Sequence, residues 1–244
     1  MPGTWMNKHA IHVLIVLCYA TAVMIPVYGS VKSMGEADLQ SKIILFRPGQ
    51  ANHIFDPGFE SGKLDACHWI ASPVNNPGFY RSEVVPDKGY HGSYGLATRS
   101  QGYTRLGQYV PFEDKRFRYS FRFYVNVSDD GCSVWGSVLS GKDLDDITAM
   151  RSVGYNHKSS RGTFQCQYDK NYRNMAPILS KSGWYKGVIS YEDPVMTFEI
   201  YDDSGVSIAK KAISDPGFKP VAVSINVGST FYYVDDLEYL TGYN

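Results

Sequence analysis

An excess of charge of one sign is missing from this chain. Lys and Arg together number 24, and Asp and Glu also 24. No global field draws it to nucleic acid or to an anionic membrane, and a nucleic-acid partner is not expected. Cysteine is scarce. Of 4 in the sequence, Cys18 lies in an apolar N-terminal run, leaving Cys67, Cys132 and Cys166. Three thiols allow at most one intrachain disulfide, and its pairing stays open. No CxxC and no cysteine–histidine cluster occurs, which argues against structural zinc. His53, His68, His91 and His157 are scattered without the i, i+2 or i, i+4 spacing of a metal site. Also missing are the GxSxG elbow, HExxH, the P-loop and GxGxxG. The paired carboxylates that a glycosidase needs on one strand are not evident. Long helical periodicity is absent as well: only Lys142–Arg151 (KDLDDITAMR) reads as a short helix, with Asp143, Asp145 and Asp146 on a solvated face.

What is abundant points to β-structure. The chain holds 19 Tyr, 12 Phe, 4 Trp, 23 Gly and 12 Pro in 244 residues. Aromatic side chains suit pleated, half-buried surfaces, while Gly and Pro punctuate turns. Arg118–Val127 (RYSFRFYVNV) puts Tyr119, Phe121, Phe123, Val125 and Val127 on one face and Arg118, Ser120, Arg122, Tyr124 and Asn126 on the other. That is period-two alternation with one wet side. Similar short runs recur at Tyr94–Thr98, Tyr109–Pro111, Ser133–Leu139, Thr163–Tyr168, Trp184–Tyr191, Met196–Tyr201, Ser207–Ala212, Val221–Val227 and Phe231–Tyr239. Asp202-Asp203-Ser204-Gly205 predicts a hairpin turn, and Glu192-Asp193-Pro194 reads as another turn. Many short strands without βαβ alternation predict an all-β fold, a jelly-roll β-sandwich of two antiparallel sheets.

The N-terminus reads differently. Lys8 is followed by an uncharged run from Ala10 to Val27 and then by Val27 and Gly29 at signal-peptidase spacing. This predicts a signal peptide over 1–29, cleaved after Gly29, and a secreted protein. A retained leader would instead be a membrane anchor, since 18 residues reach the lower edge of spanning length. A membrane partner is expected only in that case. Residues 30–53 read as a linker with one edge strand at Ile43–Phe46, and 54–244 as one sandwich domain. Asn126-Val127-Ser128 is a lone glycosylation sequon.

Three segments at the ends and early middle of the body carry a resemblance. Phe55-Asp56-Pro57-Gly58-Phe59-Glu60-Ser61-Gly62 opens it, and Phe231-Tyr232-Tyr233-Val234-Asp235-Asp236-Leu237-Glu238-Tyr239 closes it. Between them stands Lys88-Gly89-Tyr90-His91-Gly92-Ser93-Tyr94-Gly95-Leu96. Together, over roughly residues 54–240, they resemble the jelly-roll carbohydrate-binding modules of the galactose-binding-like type. The resemblance implies that first and last strands are neighbours and that a structural calcium ties them. Glu60 and Asp235 would supply carboxylates, and backbone oxygens around Gly62, Lys88 or His91 the rest of a six- to eight-oxygen shell. Alternatively, Asp235 and Asp236 face solvent at a strand edge, where acids discourage edge pairing.

The same resemblance implies binding of a polysaccharide or other glycan on an aromatic-lined groove. The candidate rings are Trp135, Tyr168, Trp184, Tyr103, Tyr155 and Tyr172, with Trp135 and Tyr168 first among them. The competing fate for rings of this size is the core, above all for Trp69 and Trp184. A second resemblance keeps catalysis in view. Arg81-Ser82-Glu83-Val84 and Tyr168-Asp169-Lys170-Asn171-Tyr172 are similar to strands of alginate-lyase-like jelly rolls. In those enzymes an Arg neutralises a uronate carboxylate and a Tyr or His moves the proton from C5. Val85 and Gln165-Cys166-Gln167 depart from that pattern, which lacks its second Arg and its His here. A lyase would need Arg81, Glu83, Gln165, Tyr168 and Lys170 to converge in one groove.

Overall fold

The computed structural model describes residues 52–73, 80–100, 103–112, 115–129, 133–144, 146–158, 161–168, 171–228 and 232–242. All of them belong to one compact unit, Leu39–Asn244. The leader and the strand expected at Ile43–Phe46 lie outside the described residues. So do Cys132, Asp145, Asp169 and Lys170.

The described residues form strands β1 (Ile70–Pro73), β2 (Tyr80–Pro86), β3 (Tyr94–Ser100), β4 (Tyr103–Tyr109), β5 (Arg116–Val125), β6 (Ser133–Gly141) and β7 (Ile147–Lys158). There follow β8 (Arg161–Tyr168), β9 (Asn171–Ile178), β10 (Gly183–Glu192), β11 (Val195–Tyr201), β12 (Ser207–Ser214), β13 (Ala222–Gly228) and β14 (Tyr232–Thr241). They pair into two seven-stranded sheets, β1-β4-β13-β6-β7-β8-β9 and β12-β11-β10-β5-β14-β3-β2. Every pairing is antiparallel, as between β5 and β10 or β6 and β13. This is a jelly-roll β-sandwich.

Alternation decides which face each strand buries. On β5, Phe117, Tyr119, Phe121, Phe123 and Val125 are all fully buried, and they form the spine of the core. Neighbouring rings lie at stacking distance, 5.7 Å from Tyr119 to Phe121 and 5.3 Å from Phe121 to Phe123. From the facing sheet come Val134 and Val138 of β6, Val153 and Tyr155 of β7, and Val223, Ile225 and Val227 of β13. Burial of the Tyr119 phenol pushes its pKa upward, since no charged form is tolerated there. The sheets approach so closely at Gly136 that an added Cβ would stand 2.0 Å from the Phe121 ring. Gly136→Ala is therefore expected to destabilise the fold by about 1–3 kcal/mol through overpacking, read as a lowered denaturant midpoint at unchanged m-value.

The short helix expected over Lys142–Arg151 is not formed. Ile147–Lys158 is strand β7, paired with β6 from Ile147 and with β8 from Ser152. The acidic turn before it is closed by Asp146 N–H to Asp143 Oδ1 (2.8 Å) and Lys142 N–H to Asp146 O (3.0 Å). Pairing on both edges outweighs a weak local helix preference. The Asp202–Gly205 turn forms as the pattern predicts: Val206 O accepts from Asp202 N–H at 3.0 Å, and Gly205 adopts φ 82°. Cys67 is exposed and Cys166 buried, and neither is in a disulfide. Burial lifts the Cys166 thiol to about 11.

Candidate functional site

The outward face of the first sheet is built from the residues that alternate with its core positions. On β6 these include Trp135 and Ser137, since Val134, Gly136 and Val138 face Phe121 and its neighbours. Register carries the same face across five more strands. Trp135 pairs with Asn226 of β13 and with Gly154 of β7. Asn226 pairs with Arg105 of β4, and Gly154 with Gln165 of β8. Gln165 in turn pairs with Asn174 of β9. The resulting row is Arg105, Asn226, Trp135, Gly154, Gln165, Asn174, with hydrogen-bonding groups on either side of an indole.

Two polar networks hold this face. On one side Asn226 Nδ2 donates to Ser137 Oγ (2.6 Å), Ser137 and Ser152 share a hydroxyl bond (2.7 Å), and Ser224 Oγ donates to Asn226 Oδ1 (3.4 Å). On the other, Asn156 Nδ2 donates to Gln165 Oε1 (3.1 Å), and Gln165 Nε2 donates to Asn174 Oδ1 (2.7 Å). Buried polar side chains are retained in sheets only when satisfied in this way. Trp135 is less well satisfied. Its ring is 2% exposed and belongs to neither apolar cluster, and its indole N–H is buried with no acceptor among the described residues. The Tyr172 ring packs on it with centroids 5.3 Å apart, and Tyr172 is itself 45% exposed on β9. At one end the face is walled by Leu144, Leu139 and Ala222, where Arg105 Nη1 donates to Leu144 O at 3.3 Å.

Tyr155, Tyr168 and Trp184 do not share this surface. Tyr155 is fully buried among Phe164 and the core, so it offers no ring to a ligand. Tyr168 also turns inward and stacks over Phe198 of the other sheet at 6.3 Å. Both sit at core positions of their strands because alternation places them there, opposite Gln165 and Gln167. Trp184 is half-buried on the outward face of the second sheet, edge-on to Tyr90 and Tyr124. Arg122 lies 3.8 Å over the Tyr90 ring, completing a separate patch. The side chain of Tyr103 lies outside the described residues. Asn156, Asn226 and Arg105 were not singled out from sequence, and Gln165 only as part of the lyase pattern. Their signal was the polar residue at every second position of otherwise apolar strands.

The residues of the lyase pattern are dispersed. Glu83 and the Arg81 backbone lie on β2, at the edge of the second sheet, while Gln165 and Tyr168 lie on β8 of the first. Those two face opposite sides of that sheet.

The segment 52–62 runs beside the last strand. His53 N–H donates to Tyr239 O (3.0 Å), Asn52 Nδ2 to Leu237 O (2.7 Å), and Leu237 N–H to Pro57 O (2.9 Å). A bulge in β14 between Asp235 and Glu238, with Asp236 at φ 48°, adds one residue to the strand. The added residue shifts the alternation, so that Leu237 and Tyr239 face the core. Asp235 is fully buried beside Gly58, and one of its oxygens accepts from Tyr90 N–H at 2.5 Å. Its other oxygen has no hydrogen-bond partner among the described residues, and burial raises the pKa of the carboxyl. Glu60 flanks the same glycine and accepts from Ser93 N–H (3.1 Å) and Tyr94 N–H (3.2 Å). Glu60 and Asp235 are thus brought to one corner. Among the described residues no group of three or more His, Cys, Asp or Glu gathers into a metal site, so a cation here would draw on backbone carbonyls as well.

No protein-family model matches the chain, and no curated protein sequence matches it. Solved structures match its fold. One is described as the cellulose induced protein Cip1, at TM-score 0.52 and 12% identity, covering 77% of this chain and 97% of that one. Another is described as Bacteroides ovatus xyloglucan PUL GH43B, at TM-score 0.51 and 12% identity, covering 80% of this chain and 40% of that one. At such identities the likeness is one of fold.

Proposed function

We propose that this is a secreted glycan-binding protein whose ligand lies across the outward face of the first sheet. The observation that carries the proposal is the buried indole N–H of Trp135, without an acceptor among the described residues and set between two amide–hydroxyl networks. Sugars offer ring hydroxyls that donate and accept at once, and amides and hydroxyls match both roles. Two fold neighbours carry cellulose and xyloglucan in their names, which is in keeping with a carbohydrate ligand, though fold alone assigns none. Proton abstraction from a uronate needs a base within hydrogen-bond reach, and the dispersal of Arg81, Glu83, Gln165 and Tyr168 gives a lyase no support.

The proposal includes the calcium. An orphaned carboxylate oxygen in a buried corner fits a hard cation. Glu60 and Asp235 would hold it, and its role would be to tie the opening segment to the last strand. Secretion after cleavage behind Gly29 completes the proposal.

The test is retention on native gels containing polysaccharide. Net affinities at such open faces fall near the ~mM to ~µM range, about −4 to −8 kcal/mol. Tyr172→Ala, which removes the exposed ring beside Trp135, is expected to weaken retention by roughly 0.5–1.5 kcal/mol. Trp184→Ala, on the opposite face, is expected to leave it unchanged. Retention by no polysaccharide, or loss only in Trp184→Ala, would refute the assignment of the face.

A further inference from the structure

The outward face of the first sheet is not equally open along its length. Register lays two parallel rows of side chains across it. One is the row through Trp135 that begins at Arg105. The other runs Gly107, Ser224, Ser137, Ser152, Gln167, Tyr172 from β4 to β9. Ser224, Ser137 and Ser152 are fully buried, whereas Tyr172 and Asn174, which end the two rows on β9, are exposed. The face is deep towards β4 and shallow towards β9.

The turn between β6 and β7 supplies the depth. It links neighbouring strands, yet it bends over the outward face and reaches past β13 to β4, about 10 Å away at the spacing of paired strands. Leu144 at its tip is 2% exposed and lies on Gly107, where an added Cβ would stand 2.9 Å from the leucine methyl. Leu139 and Ala222 complete its seat. The Leu144 N–H donates to the Tyr109 hydroxyl oxygen (3.3 Å), and its carbonyl accepts from Arg105 Nη1 (3.3 Å). Both of these partners belong to β4. Leu144 therefore blocks the serine row at its β4 end. Arg105, bonded to the Leu144 carbonyl, fills the same end of the Trp135 row.

We infer that this groove receives the end of a glycan chain, with the terminal sugar against the Leu144 turn and the rest of the chain leaving over β9. This rests on the glycan-binding proposal above and states which part of the polymer the same face accepts. An internal stretch of chain needs a trough open at both ends, and here Leu144 and Arg105 stand across one. Chain ends include the tips of side branches, so a branched polysaccharide offers many and a long linear one few. Arg105 is a positioning residue: its guanidinium is committed to the turn and acts on the sugar only through it.

The test is calorimetric titration with soluble linear β-1,4-glucan, β-1,4-xylan, β-1,4-mannan and β-1,4-galactan, each compared with its own hexasaccharide. For a glycan that binds, the hexasaccharide is expected to offer at least tenfold more sites per gram than a polymer of a hundred or more sugars. Borohydride reduction of the hexasaccharide opens the ring at its reducing end. A tenfold loss of affinity on reduction would identify the reducing end as the one bound, and unchanged affinity the other end. Arg105→Gln and Tyr109→Phe each remove one bond to the turn. Each is expected to raise the sites per gram on the polymer at least threefold, with the thermal midpoint near that of the unmodified protein; a loss of stability alone would not move that ratio. Equal sites per gram on polymer and hexasaccharide, or polymer site numbers unchanged in both variants, would overturn the inference and leave glycan binding standing. Binding to none of these or of other glycans would overturn both.

Discussion

Phe121→Ala is expected to cost about 3–5 kcal/mol of stability, the range for deleting a large ring from a packed core. Phe121 is fully buried at the middle of β5. Its edge fills the space left by two glycines, Gly136 on the facing sheet and Gly187 on its own. Backbone atoms border the ring there, so the cavity has little means of collapsing. Equilibrium urea unfolding followed by tryptophan fluorescence reads the loss. Tyr172→Ala, half-exposed on an edge strand, is the control and is expected to stay within about 0.5 kcal/mol. A loss below about 1 kcal/mol for Phe121→Ala would mean that the two sheets do not meet at this ring.

Calcium is expected to raise the melting temperature. At a hundredfold excess over its dissociation constant the gain from linkage is about 2.7 kcal/mol, or roughly 5–11 °C for a domain of this size. Asp235→Asn is expected to act in two directions. Without calcium it removes a buried carboxylate whose charge is incompletely satisfied, which favours folding. With calcium it deletes a ligand, so the shift disappears. Glu60→Ala is expected to abolish the shift without the first benefit, because Glu60 is exposed and its oxygens are occupied by Ser93 and Tyr94 N–H groups. Melting curves in chelator and in calcium for the three proteins distinguish these outcomes. Identical curves for the unmodified protein would exclude a stabilising calcium at this corner.

A strand was readable from sequence where large apolar side chains alternate with polar ones over most of its length. The Arg118 run locates β5 because five large apolar side chains alternate with polar ones, and that signal is strong over ten residues. β9 (NYRNMAPI) gives no such alternation, since it is an edge strand with its first four residues exposed. β7 was hidden by its acidic approach, which mimics the first turn of a helix; its strand character comes from pairing with β6 and β8, a non-local cause. Tyr155 and Tyr168 illustrate the same limit in the site. Ring type marks a residue as a candidate, but parity along the strand decides whether it faces ligand or core. Here the parity that buries Tyr168 is the one that exposes Gln165 and Gln167 to the outward side. Glu60 and Asp235 could be paired from sequence only through the family resemblance, because 175 positions separate them and the bulge at Asp236 leaves no mark in hydrophobic patterning.

The indole N–H resonance of Trp135 reports on the central claim directly. In a two-dimensional nitrogen–proton spectrum each indole N–H gives its own cross-peak, and loss of one peak in Trp135→Phe assigns it. On titration with a retained oligosaccharide, the Trp135 peak is expected to move progressively as its N–H gains an acceptor, while the Trp184 peak on the opposite face stays in place. A Trp184 peak that moves while that of Trp135 remains fixed would contradict the placement of the glycan on the first sheet.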